Sequence, residues 1–353
     1  MEDTTVVGET TERWWPALRR IDVVGAVLLV GFAVWVAWVA RATDTDGTHV
    51  VWLLVGLVVV AAVARWATFL HGTGAPALIA VAVLAYAAVT GDGPPHELGG
   101  AGSTEAAGAL LAIGTGAAAL VVVRLGPWWP RVIFAIVAAG LAVLTWGAGS
   151  TGATLIAIGA VLAMVVLLGF PMRERRWVVV WPGLVAVLAL LGTVTFAALG
   201  LPEYLRGPDP ERVGGWRAAL DIVSGSPWYG AGPGATDAVV GGSGIEHEPL
   251  RIAAETGIIG ALLLLAILAW SLAWVARPGG GPGSVVAGFV LAGSIAHACF
   301  AATWQVPTVP LALAALAGTA SLRGGEAAWR LRALWNRVTD APNDGDGEPA
   351  GDA

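Results

Sequence analysis

The chain has 353 residues, of which 57% are hydrophobic and only 12% are charged, and its mean hydropathy is +0.75. One soluble core could not bury that much apolar surface, so the composition excludes an ordinary soluble domain and predicts an integral membrane protein. The net charge of −6 gives no indication of nucleic-acid binding, because the acids lie mostly in the tails and polar loops, and the single Cys299 excludes an intrachain disulfide.

Ten apolar runs approach or exceed the roughly 20 residues that a membrane span requires. In chain order they are residues 21–40, 49–70, 74–90, 105–123, 130–148, 151–170, 177–200, 252–276, 284–303 and 306–322. The prediction of the fourth span, 105–123, is weakened by its high Gly and Ala content. The tenth is short and contains Pro307 and Pro310, so the last two runs could instead form a re-entrant pair. Because the runs are continuously apolar, we predict an all-α bundle of about ten spans and no membrane strands.

The spans divide the chain into five segments: an N-terminal tail at 1–20, seven spans within 21–200, one long loop at 201–247, three spans within 248–322, and a C-terminal segment at 323–353. The last segment begins with the amphipathic stretch "EAAWRLRALWNRV", which is typical of a helix on the inner membrane surface. Its acidic end is predicted to be disordered. The N-terminal stretch lacks the pattern of a cleavable signal peptide.

The distribution of arginine predicts the orientation. All 19 basic residues are arginines, and most lie in the two tails or in the loops that share a side with them. By the positive-inside rule, both termini are cytoplasmic and the 201–247 loop is on the outer face of the cytoplasmic membrane. Four arginines break this rule, in or at the end of that loop: Arg206, Arg212, Arg217 and Arg251. They indicate an anionic ligand, unless they pair with neighbouring acids.

The long loop is predicted to contain a short amphipathic helix around residues 215–224, followed by a turn and the glycine-rich "GAGPG". The apolar face of this helix consists of Trp216, Ala219, Leu220 and Val223.

A second helix is predicted to begin near Glu248, because Pro249 suits a first helical turn. His247 then lies at a helix N-terminus, where free N–H groups and the helix dipole favour an anion such as phosphate. Arg251 and Glu255 follow at intervals of four, on roughly the same side. The simpler alternative is a surface Arg251–Glu255 pair beside a histidine without function.

Together these motifs resemble a known family. The order of Arg212, three residues and Trp216, then "SPWYGAGPG", then His247 and "AETGIIG", is similar to the signature region of the O-antigen ligase and O-antigen polymerase superfamily. The resemblance covers residues 212–262, about 50 of the 353.

The resemblance implies a polytopic glycosyltransferase of the GT-C type that requires no metal or other cofactor. Its donor would be a polyprenyl-diphosphate-linked glycan and its acceptor a glycan, lipid or protein. Arg212 would bind the lipid diphosphate, His247 would activate the acceptor hydroxyl, and Trp216, Arg217 and Arg251 would lie near the substrates.

Glu255 is also expected at the substrate site, although with Gly257 and Gly260 it matches the E-x-G-x-x-G helix entry of the family. We expect that entry to orient the helix by close packing. Two positions depart from the family: Thr151 replaces an arginine expected to face the diphosphate, and Glu248 replaces a small polar residue. Arg251 or Arg217 could supply the missing cation.

The expected chemistry suits these residue types. A departing diphosphate gains negative charge, which a guanidinium can bind through two parallel hydrogen bonds. A histidine can accept the proton of an acceptor hydroxyl near neutral pH.

Other readings of the sequence are a metal site at "EHE", a transporter, and a non-catalytic scaffold. Three adjacent residues cannot all reach one ion from a regular helix, and no HExxH motif is present. The spans show no paired broken helices, and Arg65 is the main internal charge. His297 lies within the ninth span, where we expect a neutral histidine hydrogen-bonded to a neighbouring helix.

The predicted orientation can be tested by cysteine labelling in a Cys299→Ala background. We expect a membrane-impermeant reagent to label Asp237→Cys in intact cells and to label Glu174→Cys only after the membrane is opened. The reverse pattern would overturn the assigned orientation.

Overall fold

The computed structural model describes residues 20–90, 104–169, 210–236, 245–276 and 281–321, with a few helical residues between 183 and 195. Within these ranges no strand occurs, and the prediction of an all-α protein is confirmed. The helices are α1 Arg20–Thr43, α2 Thr48–His71, α3 Gly74–Thr90, α4 Thr104–Arg124, α5 Trp128–Gly147, α6 Thr151–Gly169, α7 Pro210–Gly225, α8 Glu248–Ala276, α9 Pro282–Ala298 and α10 Thr308–Ala320, with a 3-10 turn at Thr303–Gln305.

Six of these helices, α1, α2, α4, α5, α6 and α8, are long and apolar enough to cross a membrane, and they indicate a membrane protein. The apolar helices α3, α9 and α10 are shorter. With 13 residues, α10 is about 20 Å long, less than the roughly 30 Å hydrocarbon core. Of the roughly ten predicted spans, six correspond to such helices in the described ranges, and the count of ten stays a prediction. The seventh predicted span, 177–200, lies largely outside them.

The central helix of the bundle is α4, which packs against α3, α5, α6, α9 and α10. Nearly all its residues from Ala106 to Val122 are buried. A Cβ at Gly114 would lie 2.6 Å from the Val83 side chain, and one at Gly116 would lie 2.5 Å from Val290. The Gly and Ala content that weakens this run in the sequence therefore has a structural cause, since small residues let several helices approach one axis.

The outer surface carries the large apolar side chains instead. Val27, Ile136 and Leu155, on α1, α5 and α6, are each more than 60% exposed. Small residues inside and large apolar residues outside are what a helix bundle surrounded by lipid requires.

Arg65, the main internal charge of the predicted spans, is paired. Its Nη1 lies 2.9 Å from Asp22 Oδ1, and the same oxygen accepts a 2.7 Å hydrogen bond from the Trp274 indole. This buried group ties α1, α2 and α8 together, so Arg65 has a structural role.

A backbone break interrupts α8 at Gly257, whose φ is 71° and ψ is −174°. Only glycine adopts this conformation readily. The break disrupts regular helical hydrogen bonding in the turn around it, so the backbone groups of that turn require other partners.

The segment after α7 supplies those partners. The N–H of Ala231 donates to the carbonyl of Ala254 at 2.8 Å, and the N–H of Gly232 donates to that of Glu255 at 2.9 Å. Beyond the break, the N–H of Ile258 donates to the Pro227 carbonyl at 2.8 Å. The "SPWYGAGPG" motif therefore docks on α8 through its backbone.

A third element joins at the same place. The indole N–H of Trp35, on α1, donates to the Thr256 carbonyl at 2.9 Å. The break in α8 is thus held from two sides, by the segment after α7 and by α1.

Gly257→Ala should be strongly destabilising. Its Cβ would lie 2.3 Å from the Trp228 carbonyl oxygen, and the required φ strains any L-residue, so we expect a loss of at least about 1–3 kcal/mol in the free energy of unfolding. Denaturation in nanodiscs is the measurement. Gly140→Ala on α5, where a Cβ meets nothing within 4 Å, is the control and should be neutral or slightly stabilising. Equal stability of the two variants would contradict this reading.

Candidate active site

The predicted site residues that the structure describes meet where α7 lies against the start of α8. Both helices were expected: α7 covers the predicted amphipathic segment, and α8 begins at Glu248 as predicted. The predicted apolar face of α7 is also confirmed, since Trp216 and Ala219 are buried in a small cluster with residues of α8, while Leu220 and Val223 pack against it.

His247 is fully buried at the N-terminus of α8. Its Nδ1 accepts a 3.0 Å hydrogen bond from the N–H of Leu250, and its carbonyl accepts one of 2.9 Å from the N–H of Arg251. The imidazole thus caps α8 as an Asn or Ser side chain does in other helices.

This cap changes the prediction of an anion site at the helix N-terminus. Pro249 has no N–H, and those of Leu250 and Arg251 are already engaged by His247. The expectation that the first turn of α8 offers several free N–H groups to phosphate is therefore wrong for these residues, because the histidine itself satisfies the helix end.

The protonation of His247 follows from its burial. Removal from water lowers the pKa of the imidazole from its ordinary 6.5 to about 4, so the ring is neutral at pH 7. Since Nδ1 accepts the Leu250 N–H, the hydrogen-bond pattern assigns the ring proton to Nε2. In this tautomer Nε2 carries the hydrogen, so it can act as a hydrogen-bond donor but cannot accept a proton.

Trp216 packs edge-on against His247, with ring centroids 5.6 Å apart and planes at 81°. Its other aromatic neighbour is Phe300, just after α9, at 6.3 Å. The indole Nε1 is buried and has no hydrogen-bond partner among the described residues. An unpaired buried donor is costly in a folded protein, which makes it a candidate for a bond to a ligand oxygen.

The Arg251–Glu255 pair, which the sequence offered as the simpler alternative to a substrate site, exists. It is buried rather than at the surface, and it includes a third residue. Arg251 Nη1 lies 3.3 Å from Glu255 Oε1, while its Nε and Nη2 lie 3.1 and 3.0 Å from Glu248 Oε2. Both carboxylates are 1% exposed, and Glu255 also accepts a 2.7 Å hydrogen bond from Thr236.

Two carboxylates around one guanidinium leave no positive charge for an anionic substrate. Arg251 and Glu255 are therefore brought together as a support for the start of α8, and this geometry disfavours Arg251 as a phosphate ligand. Glu248, which departs from the family pattern, has a role here as the second acceptor for Arg251.

The other predicted cations lie on or before α7. Arg217 is exposed on that helix. Arg212 is in its first turn, but its side chain is outside the described residues, as is the whole of Arg206. Proximity between Arg212 and His247 stays a prediction.

Sequence reasoning missed the partners of His297. As expected, this histidine bonds to neighbouring helices: its Nε2 lies 2.8 Å from Glu105 Oε2 on α4 and 3.4 Å from Ser150 Oγ before α6. Neither partner belongs to a motif, and the only signal in the sequence is that each polar residue lies at the end of a predicted span. In the described part of the chain, no three His, Cys, Asp or Glu side chains are grouped as metal ligands would be.

Comparison of the sequence with family models and with curated proteins gives no significant match to either. The family resemblance therefore rests on the loop motifs alone.

The neutral state of His247 predicts an acid-sensitive fold. Because its pKa is lower folded than unfolded, the unfolded state binds the proton more readily, and stability is lost as the pH falls from about 6.5 towards 4. One such group contributes at most about 1.4 kcal/mol per pH unit. His247→Asn keeps a capping oxygen but has no group that titrates. Between pH 7 and pH 5, we expect the melting temperature in nanodiscs to fall less in this variant than in the native protein.

His49→Asn, which removes an exposed histidine in the first turn of α2, is the matched control and should keep the native pH response. An identical acid response in His247→Asn and the native protein would show that His247 is not the titrating group.

Proposed function

We propose that the protein is an O-antigen ligase-like membrane glycosyltransferase. It would transfer or polymerise a glycan from a polyprenyl-diphosphate donor on the outer face of the cytoplasmic membrane, in the synthesis of a cell-surface polysaccharide or glycoconjugate. No metal or nucleotide is needed for this reaction, because the donor already carries the activated bond.

The observation that carries the proposal is the way the separate motifs fit together. The glycine-rich segment docks on the break at Gly257, and the two sides of this contact are the "SPWYGAGPG" and E-x-G-x-x-G motifs. The same helix begins with His247, against which the motif residue Trp216 packs. Motifs that are individually weak thus form one contiguous unit, which supports a shared function.

In the proposed mechanism, Arg212 binds the diphosphate and stabilises the charge that grows on it as the glycosidic bond breaks. The acceptor oxygen attacks the anomeric carbon as the bond to the diphosphate breaks, and its proton passes to an oxygen of the departing diphosphate. Arg217, exposed on the same helix, is the better candidate for a second phosphate-binding cation, since Arg251 is held between two carboxylates.

For His247 the hydrogen bonds favour a role other than the expected general base. With its proton on Nε2, the ring has the chemistry of a hydrogen-bond donor, and a base role requires the other tautomer and loss of the Leu250 contact. We propose that Nε2–H binds a substrate oxygen beside the Trp216 indole.

The acceptor is proposed to be a glycan. The external loop of about 45 residues is modest for a lid and leaves little room for a dedicated protein-binding surface. Transfer of a single glycan to protein would count against this choice.

The break in α8 does not favour a transporter. Broken helices in transporters expose backbone groups to the transported solute. Here the carbonyls of Ala254, Glu255 and Thr256 are occupied by N–H groups of the protein itself.

Arg212 can be tested by measuring donor binding and transfer separately. Arg212→Ala should weaken binding of a labelled lipid-diphosphate glycan and also slow transfer, and Arg212→Lys should rescue only part of each, because an ammonium cannot make the planar two-bond contact. Arg206→Ala is the loop control and should behave as the native protein does. Unchanged binding and transfer in Arg212→Ala would refute its assignment.

Two substitutions separate the possible roles of His247. Asn keeps an acceptor for the Leu250 N–H but has nothing at the Nε2 position. His247→Asn should therefore fold, bind donor and transfer roughly 10² to 10³ times more slowly. Gln places an amide donor near the Nε2 position but cannot act as a base. We therefore expect His247→Gln to retain more activity than His247→Asn in reconstituted membranes.

Equal loss in the Gln and Asn variants would favour the general base over the donor. Normal transfer in the Asn variant would show that His247 only caps the helix, and would remove the main support for the site.

A further inference from the structure

A second polar cluster joins three helices of the central bundle. Glu105 lies in the first turn of α4, Ser150 precedes α6, and His297 lies in the last turn of α9. The Ser150 hydroxyl donates a short hydrogen bond to Glu105 Oε2, the oxygen that also contacts His297 Nε2 at 2.8 Å. His297 Nδ1 is buried without a hydrogen-bond partner in the described part of the chain.

A cavity of about 230 Å³ opens directly beside this cluster. Its lining residues come from the end of α5, the turn that follows, and the start of α6: Trp146, Gly149, Ser150, Thr151, Thr154 and Leu155. The volume is below the roughly 300–1,000 Å³ of drug-sized sites and suits one small ring rather than an extended ligand.

The chemistry of the lining favours a neutral ligand rich in hydroxyl groups. Three lining side chains carry hydroxyls and none is basic. Ser150 Oγ is fully buried and engaged, since it donates to Glu105 and accepts the Ala153 N–H at 3.3 Å. The Thr154 hydroxyl donates to the Ser150 carbonyl and keeps its lone pairs as acceptors, and Thr151 lies at an exposed position. Trp146, 74% exposed, adds a flat apolar face, so the cavity has the mixed character that a sugar ring presents.

The cavity lies at the same end of the bundle as His247. The Phe300 N–H bonds to the His297 carbonyl at 2.8 Å, and the Phe300 ring contacts Trp216. The cluster behind the cavity is thus linked to the proposed active site by one turn of chain.

We propose that this cavity is a subsite for a neutral sugar unit of the acceptor glycan. Thr151 and Thr154 contact its hydroxyls, while Glu105 and His297 hold Ser150, whose hydroxyl and carbonyl bond to Ala153 and Thr154 at the start of α6. That the bound sugar belongs to the acceptor glycan rests on the function proposed above, whereas the binding of a sugar in the cavity does not.

The test uses native protein in nanodiscs and a diazirine-bearing chitobiose as photoprobe, with labelled peptides mapped by mass spectrometry. We expect labelling within 146–155. Thr151→Trp, at an exposed lining position, should fill the cavity, reduce labelling at least tenfold, and raise the KM for acceptor more than the KM for donor. Ile158→Trp places the same side chain on the same helix at an exposed position outside the cavity, and should behave as the native protein does.

Glu105→Gln tests whether the cluster of Glu105, Ser150 and His297 supports sugar binding or only joins three helices. It keeps the shape of the cluster but weakens the acceptor that orients Ser150, so we expect a fivefold to tenfold loss of labelling in folded protein. A cluster that only joins helices would alter the melting temperature and leave labelling intact, which would overturn the role of Glu105 and His297.

Equal labelling of Thr151→Trp and the native protein would overturn the subsite. The subsite would also be overturned if inorganic diphosphate reduced labelling by the photoprobe and free chitobiose did not. Labelling that is retained by a native protein without transferase activity would refute the proposed function and leave the sugar site standing.

Discussion

The architecture around the site depends on one backbone contact, between the break at Gly257 and the segment that follows α7. A helix broken within a membrane protein must satisfy its interrupted backbone groups internally, because lipid offers no hydrogen bonds. The N–H groups of Ala231 and Gly232 and the carbonyl of Pro227 do so here. They can approach because glycines at 230 and 257 have no Cβ, which in either case would lie 2.3 Å from a backbone oxygen.

This contact also positions the residues of the neighbouring candidate site. With the segment fixed on α8, α7 packs on the first turns of α8, and Trp216 comes against the His247 ring. Below the histidine, Glu248, Arg251 and Glu255 form a buried ionic group, and Thr236 ties it to the docked segment. A buried ionic group of this kind contributes little net stability but penalises any arrangement that separates its members. It therefore favours a single orientation of the helix start.

The bundle behind the site follows the packing rule for lipid. Gly and Ala line α4, where five other helices approach, and large aliphatic side chains face outward. Two pairs of ionisable side chains join helices in the described part of the bundle: Arg65 with Asp22, and Glu105 with His297. Each joins helices distant in sequence, so each restricts how the spans can pack.

The sequence by itself determined the local features: a helical membrane protein, the amphipathic α7, and the start of α8 at Glu248. These follow from hydropathy and helical periodicity, which act over a few residues. The i,i+4 spacing of Arg251 and Glu255 left both a pair and a substrate site open. Six helices meet the criteria for spans, and the remaining predicted spans are shorter or lie outside the described residues. The family and the role of Arg212 stay predictions.

Only the tertiary structure decided how those features are used. The capping of α8 by the His247 ring, the burial that lowers its pKa, and the second carboxylate on Arg251 depend on side-chain conformation and depth. The cluster of Glu105, Ser150 and His297 joins positions up to 192 residues apart. No local sequence pattern predicts this contact, because it depends on which helices pack around α4. The packing in turn depends on the complementarity of many small and large side chains at once.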